Sequence, residues 1–119
     1  MNYLYHLSPE KNLISIKTQG LRINQKHVGV ATTRNLKKEW TVKYGCIPIF
    51  LISDPGIVQD LMLTPDAIKE INWYVFKVEV NNLTLTCATY PGEFICTEDI
   101  EPNRIKDTKQ LKDFKLERW

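Results

Sequence analysis

A histidine, a glutamate, two threonines and two aromatics are the side chains of this 119-residue sequence whose types and placing could serve chemistry. His6 ends the stretch Tyr3-Leu4-Tyr5-His6, which reads as a short strand entering a core, just before a turn through Ser8-Pro9. A side chain at the carboxyl end of a strand can face a cleft. The plainer reading of the same residue, and the one a lone histidine favours, is a core histidine bonded to a backbone carbonyl. Glu93 follows the Pro91-Gly92 turn and opens the apolar strand Glu93-Phe94-Ile95-Cys96, which sets a carboxylate at the mouth of a sheet. Its plainer reading is an exposed strand-edge charge. Between these two lie the hydroxyls of Thr32 and Thr33 and the aromatics Trp40 and Tyr44. A carboxylate can act as a general base or steady a developing positive charge. Glu98, Asp99 and Glu101 read as solvated loop charges.

The elements that must position these residues follow from local patterning. Ser8 suits an N-cap and Pro9 the first position of a helix, where no backbone donor is needed. Leu13 and Ile16, with the stem of Lys17, share one face of that helix, and Gly20 can take the left-handed turn that ends it. His27-Val28-Gly29-Val30-Ala31-Thr32-Thr33 reads as a strand. Asn35 is placed to cap a second helix closed by Gly45, with Leu36, Trp40 and Tyr44 four residues apart on one stripe. Residues 46–53 form a buried strand with Pro48 near its start, and 64–71 a short helix behind a Thr-Pro cap. Residues 73–80 alternate as a strand, Asn81-Asn82 offers a turn, and further strands follow at 83–89, 93–97 and around Ile105. Helices gathered early and strands gathered late predict an α+β domain, not a doubly wound parallel sheet.

Composition narrows the classes. The length suits a single domain over residues 1–119, large enough to bury a core without metal or disulfide. A net charge of +2 is too small to argue for nucleic acid. Cys46, Cys87 and Cys96 form no Cys-x-x-Cys pair and leave an odd one over, which favours a reducing, cytoplasmic setting. The opening lacks a basic segment followed by an apolar run, and no stretch reaches the roughly 20 apolar residues of a membrane span, so neither a signal peptide nor a membrane is expected. No Gly-rich phosphate loop is present. His27 has no neighbours at metal-ligand spacing, no Gly-x-Ser-x-Gly elbow occurs, and no cysteine has the context of a nucleophile; no metal is expected.

Three stretches, in this order, resemble the ADP-ribosyltransferase fold family. Residues 5–21, YHLSPEKNLISIKTQGL, are similar to its first motif, and especially to the opening of DarT-type DNA-modifying toxins. Residues 28–45, VGVATTRNLKKEWTVKYG, resemble the second, a strand followed by a helix carrying an aromatic. Residues 93–105 with Gly92, GEFICTEDIEPNRI, resemble the third, in which a catalytic Glu precedes an aromatic and Ile. The resemblance implies a single compact α+β domain: a split mixed or antiparallel β-sheet with short early helices and an NAD cleft between the sheet halves. It implies transfer of ADP-ribose from NAD to a macromolecular acceptor, protein or nucleic acid, and with the small size it suggests a toxin or phage-encoded host modifier.

In that reading Glu93 is catalytic. His6 bonds a ribose hydroxyl, beside the Leu7 backbone and Ser8. Thr32 and Thr33 line the cofactor, Tyr44 or Trp40 stacks on nicotinamide, and Arg22 or Arg34 meets the pyrophosphate. Two departures from the family stand out. Members that use His first often carry Tyr in the second strand, where this chain has Val30, Ala31 and Thr32. Members that modify arginine often carry Gln or Glu two residues before the catalytic Glu, where this chain has Pro91. Two other readings remain: a catalytically silent nucleotide- or partner-binding module on the same fold, and an RNA 2′-phosphotransferase, which needs several basic residues for its RNA phosphate.

Overall fold

A computed structural model describes residues 2–24, 34–54, 72–88 and 91–111, with only the backbone for 34–38. The strands at 27–33 and the helix at 64–71 expected from the sequence lie outside these residues. The described elements are β1 (Tyr3–Pro9), α1 (Leu13–Gln19), α2 (Arg34–Tyr44), β2 (Ile49–Ile52), β3 (Trp73–Glu79), β4 (Leu85–Cys87), β5 (Glu93–Cys96) and β6 (Ile105–Gln110). The strands form one six-stranded sheet in the order β4-β5-β2-β1-β3-β6, and every pairing within it is antiparallel. The early helices and late strands of the expected α+β domain are both present, in a single compact unit.

Pleating divides the side chains between two faces, because directly paired residues share a face and neighbours along a strand alternate. Leu4, Ile49, Leu51, Phe76, Val78 and Cys96 point to one face, where Ile16 of α1, Leu21 and Ile100 complete a core of buried side chains. Tyr5, Leu7, Val75, Trp73 and Ile95 are buried on the other face. On that second face the Trp40 ring of α2 rests on Phe50, with centroids 4.8 Å apart and planes tilted by 56°. Such tilted contacts match the ring quadrupoles. The helix stripe thus seats α2 against β2.

The opening turn differs from the local expectation. β1 runs through Ser8 to Pro9, a short 3-10 turn covers Glu10–Asn12, and α1 begins only at Leu13. β3 offers a partner for every residue from Tyr3 to Pro9, ending with Pro9 opposite Trp73, and this ladder outcompetes the Ser-Pro capping signal. Ser8 Oγ instead accepts from Asn12 Nδ2 at 2.9 Å. Gly20 does end α1: its φ is 77° and its N–H bonds Ile16 O. A Cβ there would run into Ile100 O, where Leu21 and Ile100 exchange backbone bonds of 2.8 Å. Glycine is required both for the dihedral and for the close approach. Asn35 lies inside α2, which already begins at Arg34.

Candidate functional site

The site grows from an unequal pair of ladders on β1. Towards β3, β1 is paired along its whole length. Towards β2, one register pair joins them, Tyr5 opposite Ile52. That pair joins β4-β5-β2 to β1-β3-β6 within the one six-stranded sheet. A carbonyl outside a ladder pair still needs a donor. At Phe50 the donor is a side chain: His6 Nδ1 lies 2.9 Å from Phe50 O.

A carbonyl can only accept, so this bond assigns the proton to Nδ1 and leaves Nε2 with a lone pair. Burial pushes the His6 pKa below its usual value, against the smaller opposing effect of the Phe50 bond. The ring is therefore neutral at pH 7, anchored at one nitrogen and able to accept at the other. The plainer sequence reading of His6 is met here: it is bonded to a backbone carbonyl. Among the described residues no donor reaches Nε2.

Glu93 opens β5 opposite Ile52, so Tyr5, Ile52 and Glu93 form one row across three strands and share one face. Two inter-strand spacings put Tyr5 and Glu93 about 10 Å apart, backbone to backbone. Glu93 is half-buried, and burial raises its carboxyl pKa. No side chain among the described residues donates to it. Its backbone is held firmly. Ser53 N–H bonds Gly92 O at 2.8 Å, and Ala88 N–H bonds Glu93 O at 2.8 Å. Gly92 has φ 80°, and a Cβ there would lie 2.7 Å from Ser53 Oγ, so the turn before Glu93 needs glycine.

Around these two groups the other expected residues distribute unevenly. Phe50 gathers two of them, taking His6 on its carbonyl and Trp40 on its ring. Leu7 and Ser8 are buried in β1 just past the last β1–β2 pair. Tyr44 is half-buried at the end of α2, with Lys43 Nζ 5.2 Å from its ring centroid. Arg22 is engaged elsewhere, at 3.2 Å from Asp99 and 3.4 Å from Glu101. Arg34 starts α2, and its side chain lies outside the described residues, as do Thr32 and Thr33. By the pleat, His6 belongs with Leu4 and Phe76 on the α1 face, whereas Glu93 belongs with Tyr5 and Phe50 on the other. The imidazole reaches the Phe50 backbone on the neighbouring strand, and the pleat does not bring it to the Glu93 carboxylate.

Sequence reasoning passed over Tyr5, Phe50, Ser53 and Asp54. Tyr5 is buried, and burial, with a smaller contribution from the Asp54 charge, raises its phenol pKa. Period-two alternation in β2 marks Phe50 and Ile52 as one face, but nothing in the sequence tells which strand lies alongside. Compared with known proteins, the chain matches no protein-family model and no curated sequence.

Proposed function

We propose that this protein is an NAD-dependent ADP-ribosyltransferase acting on a macromolecular acceptor, with the β1–β2 seam as its NAD site. The observation that carries the reading is the His6 anchor: an imidazole bonded through Nδ1 to Phe50 O on the neighbouring strand, in the sheet that carries Glu93 one strand further on. An accepting nitrogen suits a ribose hydroxyl, which donates. A half-buried carboxylate suits the sugar carbon next to the nicotinamide. As the nicotinamide–ribose bond breaks, nicotinamide leaves with the bonding electrons and the sugar gains oxocarbenium character, which Glu93 stabilises. The acceptor nucleophile then bonds to that carbon and its proton passes to the carboxylate. A raised pKa makes Glu93 the better proton acceptor while it remains able to ionise. Trp40, resting on Phe50, and Tyr44 at the end of α2 are the aromatics this reading offers, and one of them stacks on nicotinamide.

The phosphotransferase reading is the weaker one. Among the described residues, Arg22 bonds Asp99 and Glu101, and Arg104 bonds the carbonyls of Glu79 and Asn81, so neither guanidinium is spare for an RNA phosphate. The test is incubation with NAD labelled in its adenylate half and with cell lysate, followed by separation of protein, DNA and RNA. Label entering one fraction, with nicotinamide released in step, is the expected result. Binding of NAD with no nicotinamide released from any fraction would instead identify a silent binding module.

A further inference from the structure

The sheet ends in two edge strands, β4 and β6, and they are built differently. β6 is charged at Lys106, Asp107 and Lys109. Its ladder with β3 shifts register between Lys77 and Val78, and Asp107 Oδ1 accepts from the Thr108 N–H at 2.8 Å. Charge, irregular pairing and a side chain laid over a backbone donor all keep a further strand from adding to an edge. The β4 edge is plain. Residues 81–92 carry no charge, and the pairing of β4 with β5 runs without a shift. Thr86 and Cys87 are exposed, and Leu85 is half-buried.

The register tells which backbone groups of β4 face outward. Ala88 N–H bonds Glu93 O at 2.8 Å, so the row that follows Cys87 opposite Phe94 is a hydrogen-bonded pair. Bonded and non-bonded pairs alternate along an antiparallel ladder. Thr86 therefore turns its N–H and C=O towards β5, and Leu85 and Cys87 turn theirs away from it. An edge of this kind matches itself. About a twofold axis at Thr86, Leu85 meets Cys87 of a second copy, Cys87 meets its Leu85, and each meeting exchanges a pair of backbone hydrogen bonds. Thr86 then stands opposite Thr86 of the second copy in a non-bonded pair, where side chains come closest. Threonine opposite threonine is a favourable cross-strand pair, and no like charges are opposed.

We propose that β4 is a homodimer interface: two copies add edge to edge, antiparallel about a twofold axis at Thr86, and join their sheets into one. The contact is short and mostly main-chain, so the dimer is weak, with a dissociation constant on the order of 0.1–1 mM. It does not depend on the transferase reading.

The experiment measures translational diffusion of the full chain by NMR from about 0.02 to 2 mM, a range that brackets that constant. A thiol reductant is present throughout, so that no Cys87 disulfide contributes. Wild type is expected to pass from monomer to dimer. Thr86→Lys and Thr86→Glu each oppose like charges at the axis and should weaken dimerisation at least about tenfold, whereas an equimolar mixture of the two opposes unlike charges and should pair as wild type does. Cys87→Pro removes an outward N–H that β5 does not use, and should stay monomeric. Unfolding midpoints of all three variants, taken at the low end of the range, should match wild type, because the altered side chains are exposed. A wild type that is still monomeric at about 2 mM overturns the proposal and leaves the edge to a strand of another protein. Charged variants that dimerise as wild type does, or a mixture no tighter than its components, overturn the axis at Thr86. A folded Cys87→Pro variant that still dimerises overturns β4 as the interface.

Discussion

The two sides of β1 are made from the same seven residues and do different work. On the β3 side all seven are paired, and Leu4, Val75, Phe76 and Val78 along that ladder are fully buried. On the β2 side a single backbone pair remains, and a histidine side chain takes the place of the missing donor at Phe50. A continuous ladder satisfies every backbone group and leaves no room for a ligand. Where pairs are fewer, side chains must satisfy backbone groups, as His6 does at Phe50. The fully buried residues gather on the densely paired side of the strand, and the side-chain bond lies on the other.

The largest effect should come from the stable side. Phe76 is fully buried opposite His6, with the two ring centroids 6.4 Å apart. Phe76→Ala is expected to cost about 3–5 kcal/mol in denaturant unfolding. A loss under about 1 kcal/mol would show that the β1–β3 half is not the stable one. Next is Glu93→Gln on the chemical side, expected to cut nicotinamide release at least about a hundredfold, or roughly 2.7 kcal/mol, with near-normal NAD affinity. The same change at the exposed Glu98 or Glu101 should leave turnover as it was. Full activity in Glu93→Gln would move the carboxylate elsewhere.

A substitution at the seam itself sharpens the contrast. NAD at a hundredfold excess over its dissociation constant should stabilise wild type by about 2.7 kcal/mol. His6→Ala is expected to lose most of that gain. It also leaves Phe50 O without its donor, a separate loss of about 1–3 kcal/mol in the ligand-free protein. The two losses are read independently, by thermal melts with and without NAD. A variant that lost only the second would make His6 a structural residue alone.

Part of the fold was legible in the sequence, and the limits have physical causes. The bounds of β3 and β5 follow, to within a residue, from alternation and turn residues, which are local, whereas β6 showed only as an extended piece around Ile105. Gly20 and Gly45 both end helices with positive φ, again a local requirement. Ser8-Pro9 misled because a capping signal is worth about 1 kcal/mol, whereas extending β1 completes a ladder with a strand far along the chain. Glu93 and His6 were recognisable as residue types at strand ends. That Phe50 would present its carbonyl to His6, or Asp54 its charge to Tyr5, depends on which strands become neighbours and in what register. The strand order places β2 and β3 on either side of β1, and no periodicity within a strand encodes that choice.

The smallest effect is a pH dependence, and it separates the two titrating groups of the seam by sign. Burial lowers the His6 pKa in the folded protein below its ordinary 6.5. Between the two values the unfolded chain binds more protons, so stability is complete above about pH 6.5 and declines as pH falls through the window beneath it. Burial raises the Glu93 pKa above its ordinary 4.5, so there the folded protein binds more protons and stability declines as pH rises through the window above 4.5. Wild type should thus show opposing slopes, stability rising with pH in the window below 6.5 through His6 and falling with pH in the window above 4.5 through Glu93. His6→Asn keeps an N–H donor for Phe50 O but does not titrate, and should leave only the Glu93 slope, with stability falling as pH rises. Glu93→Gln should leave only the His6 slope, with stability rising as pH rises. Denaturant midpoints measured at half-unit steps across that range check both. If His6→Asn leaves the wild-type profile unchanged, the imidazole is not the buried neutral group at the seam, and its Nε2 is not held ready to accept.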